Sequence, residues 1–167
     1  MEPDMFKEDV SLGKQNRIEI STGLVRLHAD SYTLYLQTRN LKEKAAATRL
    51  NRMLEAQCED LANAVHVIAE HIRALDISAT VIYKEFSNIN ALLGTGRVRT
   101  SKDMFEFLSL RHEQVLNTAI KILQLTKLAD AKQSASLVSD RILIHEKTIW
   151  LLRAKETRTG NTIVVLK

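Results

Sequence analysis

Apolar residues recur along this chain at helical rather than strand spacing. Ile20, Leu24, Leu27, Leu34 and Leu41 step by 4, 3, 7 and 7 residues, which keeps them on one face at 3.6 residues per turn. This predicts a first helix over roughly residues 18 to 43. A second run, Leu50, Met53, Leu54, Leu61, Val65, Ile68, Ile72 and Leu75, keeps the period until Asp76 and Ile77 interrupt it. Residues 78 to 100 hold a shorter apolar element, Val81, Ile82 and Phe86, and then the loop GTGRVR at 94 to 99. Thr100 followed three residues later by Asp103 reads as a capping-box start, so a third helix is expected from about 102 to 127. The fourth spans about 134 to 156, with Leu137, Val138, Ile142, Ile149 and Leu152 on its inner side. Four long helices and a short one in the middle connection make an all-α four-helix bundle with one long crossover.

Composition agrees with this reading. Five Gly and one Pro in 167 residues leave long stretches without a helix breaker. That length suits one domain, 1–167, with a sizeable core and short extensions at 1–17 and 157–167. Neither an internal repeat nor a low-complexity tract appears. Lys and Arg outnumber Asp and Glu by 24 to 20, and the pI near 9.3 permits polyanion binding without requiring it. The lone Cys58 excludes an internal disulfide and a Cys-cluster zinc site, and nothing reads as a signal peptide or membrane span. A soluble cytoplasmic protein is the expectation.

Some bundles hold metal between helices, which makes the His and acidic positions of helix two candidates. Asn51 and Glu55 are i,i+4, as are His66 and Glu70, so each pair projects from one face. Glu55 and Glu70 are 15 residues apart, about 22 Å along a straight helix, and cannot share an ion within one chain. A shared site needs a second, antiparallel copy of helix two, with Glu55 of one protomer near His66 and Glu70 of the partner subunit. The plain alternative for any His and Glu at this spacing is a solvated surface pair.

Helix one's LHADSYTLYLQTRN, helix two's EDLANAVHVIAEHIRAL, the connection's ATVIYKEF and helix four's HEKTIWLLRAKE resemble, in that order and spacing, the Dps family. Those are ferritin-like bacterial mini-ferritins, the DNA-binding proteins from starved cells, and the resemblance covers roughly residues 20 to 156. An unrelated helical interaction module sharing only the amphipathic pattern would not carry HEKTIWLLRA. The resemblance implies a four-helix bundle with a short helix across the long connection and a homo-oligomer built as a hollow dodecamer. It also implies oxidation of Fe(II) by peroxide or oxygen between paired subunits, storage of the ferric product and, in some members, DNA binding. A cytoplasmic location is implied, nucleoid-associated where DNA is bound.

The ligand positions depart from the family. Where it has a His between Thr and Asn and then a His-Trp pair, this chain has Thr38, Arg39, Asn40 and then Leu41, Lys42, Glu43. A second family His falls at Asn51, and the acidic ligand one turn later is retained as Glu55. The Asp and Glu that the family supplies from the partner correspond to His66 and Glu70. Arg39 cannot ligate and stays protonated, so it is expected to bridge Glu55 and Glu70 of the partner subunit in place of the ion. Charge-assisted hydrogen bonds of that kind contribute roughly 1.5–3 kcal/mol. On this reading the protein is a Dps-like shell without ferroxidase activity, acting in DNA protection or as a structural assembly. The alternative is an active mini-ferritin with a modified site of Glu55, His66 and Glu70, for which imidazole suits iron or zinc.

Residues 39 to 52 carry Arg39, Lys42, Lys44, Arg49 and Arg52 against Glu43. A solvated turn is the plain reading. The functional one is a DNA-phosphate patch, repeated over a shell and strengthened by avidity. The family's DNA-binding arms are often Lys-rich N-termini, whereas MEPDMFKEDVSLGKQNRIEI has five acids against three bases. The C-terminal Arg153, Lys155, Arg158 and Lys167 outweigh Glu156 and are better candidates, and the terminal TIVVLK is apolar enough to dock on a neighbouring subunit. GTGRVR lacks the strand and Lys of a P-loop and reads as a connection. Cys58 reads as a small apolar core residue and Trp150 as packing. Tyr32 and Tyr35 suit helix-one packing or electron transfer near iron. Asp130, with Lys132 and Ser136 nearby, stands where the family has an Asp-rich pore lining.

Overall fold

A computed structural model of the chain describes residue 9 and residues 11–75 and 98–158. Four helices account for nearly all of them: α1 (Lys14–Lys44), α2 (Thr48–Ala74), α3 (Ser101–Leu128) and α4 (Lys132–Arg158). α1, α3 and α4 extend the expected helices by a few residues, and α2 ends at Ala74 with Leu75, the last residue of its expected run, as C-cap. The apolar element at Val81, Ile82 and Phe86 lies outside the described residues, as do positions 94–97 of the GTGRVR loop, Lys167 and the TIVVLK segment. Short turns join α1 to α2 and α3 to α4, and these two hairpins pack mainly through α1 on α3. Leu24, Leu27, Leu34, Leu41, Leu54, Leu61, Ile68, Met104, Leu108, Ile122, Val138 and Leu152 form one continuous core. Each buried aliphatic side chain of this size stabilises by about 1.5–3 kcal/mol. Gly23 lets α1 approach α3, since a Cβ there would lie 2.9 Å from Ile122 Cγ1.

Helix ends are closed by specific acceptors and donors, as the unpaired groups of a terminal turn require. Asn51 Nδ2 donates to the Lys42 carbonyl at 3.1 Å, so the first turn of α2 caps the end of α1. The expected capping box is present: Thr100 Oγ1 accepts the Asp103 N–H at 3.0 Å, and Asp103 Oδ2 accepts those of Thr100 and Arg99. At the other end of α3 the Ala131 N–H reaches the Thr126 carbonyl at 2.9 Å and the Asp130 N–H that of Lys127. This is the paired bonding of a Schellman turn, with Asp130 in the left-handed region at φ 53°.

The cap of α4 comes from far away in sequence. Asp9 accepts the backbone N–H groups of Gln133 and Ser134, at 3.3 and 2.7 Å, and the Ser134 hydroxyl at 2.5 Å. These are the second and third donors of the helix, those a local cap residue would satisfy. Asp9 lies within the 1–17 extension expected from sequence, yet it is buried.

Asp130 pays a conformational cost that Gly avoids, so Asp130→Gly should raise stability by up to about 1 kcal/mol. Urea denaturation checks this; a fall in the midpoint would mean that the carboxylate makes a contact worth more than the strain.

Candidate functional site

Most of the residues expected at ligand positions are already paired inside the chain. Lys42, at the end of α1, forms an ion pair with Glu55 on α2. Arg39, one turn earlier, points elsewhere: its Nε lies 3.5 Å from Glu43 on its own helix. A hydrogen bond that it donates to the Tyr35 phenolic oxygen holds its guanidinium still more firmly protonated, helped by the Glu43 charge. Asn51 spends its amide on the Lys42 carbonyl. Within one chain the counter-charge of Glu55 is therefore Lys42, a residue that sequence reasoning had marked for DNA. His66 Nε2 stands 3.2 Å from Glu70 Oε1, on a face of α2 where both side chains are well exposed. Cys58, one turn past Glu55, is buried, and that burial pushes its thiol pKa up.

The bundle interior carries a second set of polar groups. Arg141 on α4 grips Asp60 on α2 with both amino groups, at 3.1 and 2.9 Å. Its Nη2 also lies 3.4 Å from Nε2 of His145, and His145 Nδ1 lies 2.8 Å from Nδ1 of His112 on α3. The tautomers follow from the donors. A guanidinium can only donate, so His145 Nε2 accepts and its proton sits on Nδ1, donating to His112 Nδ1. His112 then carries its proton on Nε2, which is buried with no partner among the described residues. Burial pushes the His112 pKa down to about 4, with the Arg141 charge acting the same way. That of His145 is lowered too, by burial and then by its neighbours His112 and Arg141.

A di-metal centre of the ferritin-like kind needs converging carboxylates, and this interior does not fit one. Its one carboxylate in the network, Asp60, is taken by Arg141, whose charge opposes a dication beside the imidazoles. Among the described residues no group of three or more His, Cys, Asp or Glu side chains converges as an ion would need. His71, Ser134 and Asp9 have the residue types of a nucleophilic triad, with His71 Nε2 2.7 Å from Ser134 Oγ. The Ser134 proton, however, goes to Asp9, and all three residues are buried, so the group is a helix cap.

Of the basic residues, Arg49, Lys155 and Arg158 converge on one pocket at the end of the bundle. Arg153 is paired with Glu113 on α3 and Lys42 with Glu55. Arg52 is exposed on α2, and Lys44 is half-buried at the end of α1. Trp150, expected to pack, is 69% exposed, and Leu143, two turns earlier on the same face of α4, is 66% exposed. Tyr32 and Tyr35 stack on each other along α1, ring centroids 6.2 Å apart.

Sequence reasoning missed the His112, His145, Arg141 and Asp60 network. A signal was present: His112 continues the inward stripe of Met104, Leu108 and Val115, and Arg141 and His145 that of Val138, Ile149 and Leu152. Polar residues at core register demand partners.

A sequence profile of the ferritin-like domain matches residues 24–158. No curated protein matches the chain at significant similarity. Among solved structures the fold is similar to that of the Dps protein of Vibrio cholerae O1, described as a member of a broad superfamily of ferritin-like diiron-carboxylate proteins. The two share 21% identity over 86% of this chain and 92% of that one, with a TM-score of 0.74. Dps from Thermosynechococcus elongatus is similar at 18% identity over 87% and 94%, TM-score 0.72. Dps from Mycobacterium smegmatis matches at 16% identity over 92% and 89%, TM-score 0.73.

The histidine pair makes the fold acid-sensitive. His112 has a lower pKa folded than unfolded, so below pH 6.5 the unfolded chain binds more protons and stability falls as pH drops toward 4. At pH 5 the His112 contribution alone is reduced by about 2 kcal/mol. His112→Gln should lose less stability than the parent between pH 7 and pH 5, read from denaturation midpoints; an equal loss would contradict the assignment.

Proposed function

Because the chain belongs to the ferritin-like family, we propose that it is a subunit of a Dps-like homo-oligomeric shell whose inter-subunit ferroxidase site has been replaced by protein ion pairs. The observation that carries this reading is Lys42 on Glu55. The one acidic position retained from the family's set on that side already has a cation, and Asn51 is committed to a helix cap. The reading includes a salt bridge across the two-fold, with Arg39 or Lys42 facing Glu70 of the partner subunit. Fe(II), as substrate, would have to displace an ammonium to reach Glu55.

A dodecamer is the assembly proposed, and the exposed Trp150 and Leu143 support burial against further copies. Its role is DNA-protective or structural. Arg49, Lys155 and Arg158 would offer phosphate contacts, and a contact weak on one subunit gains through repetition on a shell. Among the described residues no helix is long and apolar enough to cross a membrane. Residence in the cytoplasm, on the nucleoid where DNA is bound, is part of the proposal.

The second reading, an active mini-ferritin, draws support from His66 and Glu70, a pair set on one exposed turn and open to a partner. Iron or zinc would then bind between subunits through Glu55, His66 and Glu70. The proposal expects Fe(II) in the presence of peroxide to be oxidised no faster with the protein than in buffer. Rapid, saturable oxidation that is abolished by Glu55→Gln and by His66→Ala would establish the second reading instead. For the DNA role, duplex DNA should be retarded at low salt and released as salt rises; no shift at low salt would remove it.

A further inference from the structure

Helix α4 carries apolar residues on two sides, and the bundle uses one of them. Val138, Arg141, His145, Ile149 and Leu152 are buried along its inner face. On the side turned away, Leu143 and Trp150 are exposed and are flanked by Ile144 and Leu151, which are exposed as well. Steps of 3, 4 and 7 residues join these four into one stripe, with Lys147 in the middle of it. Apolar residues scattered singly over a surface are ordinary, whereas several joined on one helix face mark an interaction surface. The aliphatic stem of Lys147 continues the stripe, because a lysine need keep only its ammonium in water.

The charges beside the stripe indicate what covers it. Between positions 140 and 153 the exposed charged residues are Asp140, Glu146, Lys147 and Arg153. Reversed about the peptide bond joining Glu146 to Lys147, each acid falls on a base: Glu146 on Lys147, and Asp140 on Arg153. The same operation sets Leu143 on Trp150. A two-fold axis crossing α4 at that bond performs it between two copies, since in an antiparallel pair each residue meets the one equally far beyond the axis. We propose that α4 binds α4 of a second copy, antiparallel, about such an axis. Leu143 then packs on Trp150 of the partner subunit and Glu146 pairs with Lys147 of the partner subunit, twice over by symmetry. Arg153 holds Glu113 of its own chain, yet its side chain is 62% exposed, so Asp140 of the partner subunit can join that pair. A parallel arrangement would instead set like charges side by side. The inference uses α4 alone, apart from the α1 and α2 contacts of the proposed shell, and it names a cover for the two apolar side chains invoked there.

Trp150 is the only tryptophan of the chain, so its fluorescence reports on this surface directly. Emission and sedimentation of the full chain are followed over a concentration series for the parent, Glu146→Lys, Lys147→Glu and the double variant Glu146→Lys/Lys147→Glu. The parent should emit at the shorter wavelength of an indole removed from water. Each single reversal gathers like charges at the axis and should weaken the α4 contact at least tenfold, moving emission to longer wavelength. Both positions are exposed, so helicity and melting should stay as in the parent. The double variant should associate and emit as the parent does, and so should an equimolar mixture of the two single variants. Contacts through α1 and α2 are read separately, as the mass that survives a single reversal. Parent emission typical of a wet indole at every concentration would overturn the proposal. So would short-wavelength emission that neither reversal moves, or a loss that the double variant does not restore, since the cover would then be something other than α4 of a second copy.

Discussion

The two-handed grip of Arg141 on Asp60 is what allows a charged residue to sit inside this bundle. Arg141 is 5% exposed, and a lone guanidinium there would carry a desolvation cost of several kcal/mol. Paired, it ties α4 to α2, two helices that otherwise touch little. It also sets the protons of the histidine pair, because Nη2, besides holding Asp60, faces His145 and so fixes how His145 meets His112. The hydrophobic core packs around this network rather than excluding it. Breaking the pair from the Asp60 side would leave the buried charge behind, at a cost below the roughly 3–5 kcal/mol of a fully buried pair, since the Asp60 side chain is 38% exposed.

The same solution recurs at the surface. Glu55 is answered by Lys42 and Glu43 by Arg39, so the carboxylates around the α1–α2 turn meet side-chain cations. Inside and out, carboxylates of this chain are paired with cations of the polypeptide. This gives the proposed shell a physical rationale: protein cations cannot dissociate, so the contacts they make persist whatever the metal supply.

Much of the fold was legible because its signals are local. Leucines at helical spacing, few breakers and the Thr100–Asp103 box define elements without reference to the rest of the chain, and all four helices appear where those signals lie. The site was less legible because its pairings depend on three-dimensional register. Arg39 and Lys42 both lie near the end of α1, but only Lys42 leaves that helix on the side where Glu55 approaches. The cap from Asp9 to α4 joins residues more than a hundred positions apart, and Arg49 meets Lys155 and Arg158 only once α2 and α4 are assembled. Asp130, which resembled part of a pore lining, turns out to have a conformational task in the α3–α4 turn.

In the proposed shell a lysine, Lys42, holds the place of an ion at Glu55. Anaerobic titration calorimetry of the purified protein with Fe(II), and separately with Zn(II), addresses it directly, comparing the parent with Glu55→Gln. If Lys42 is the resident cation, neither metal binds stoichiometrically at micromolar concentration and the two isotherms coincide. Tight binding of either metal that vanishes in Glu55→Gln would contradict it.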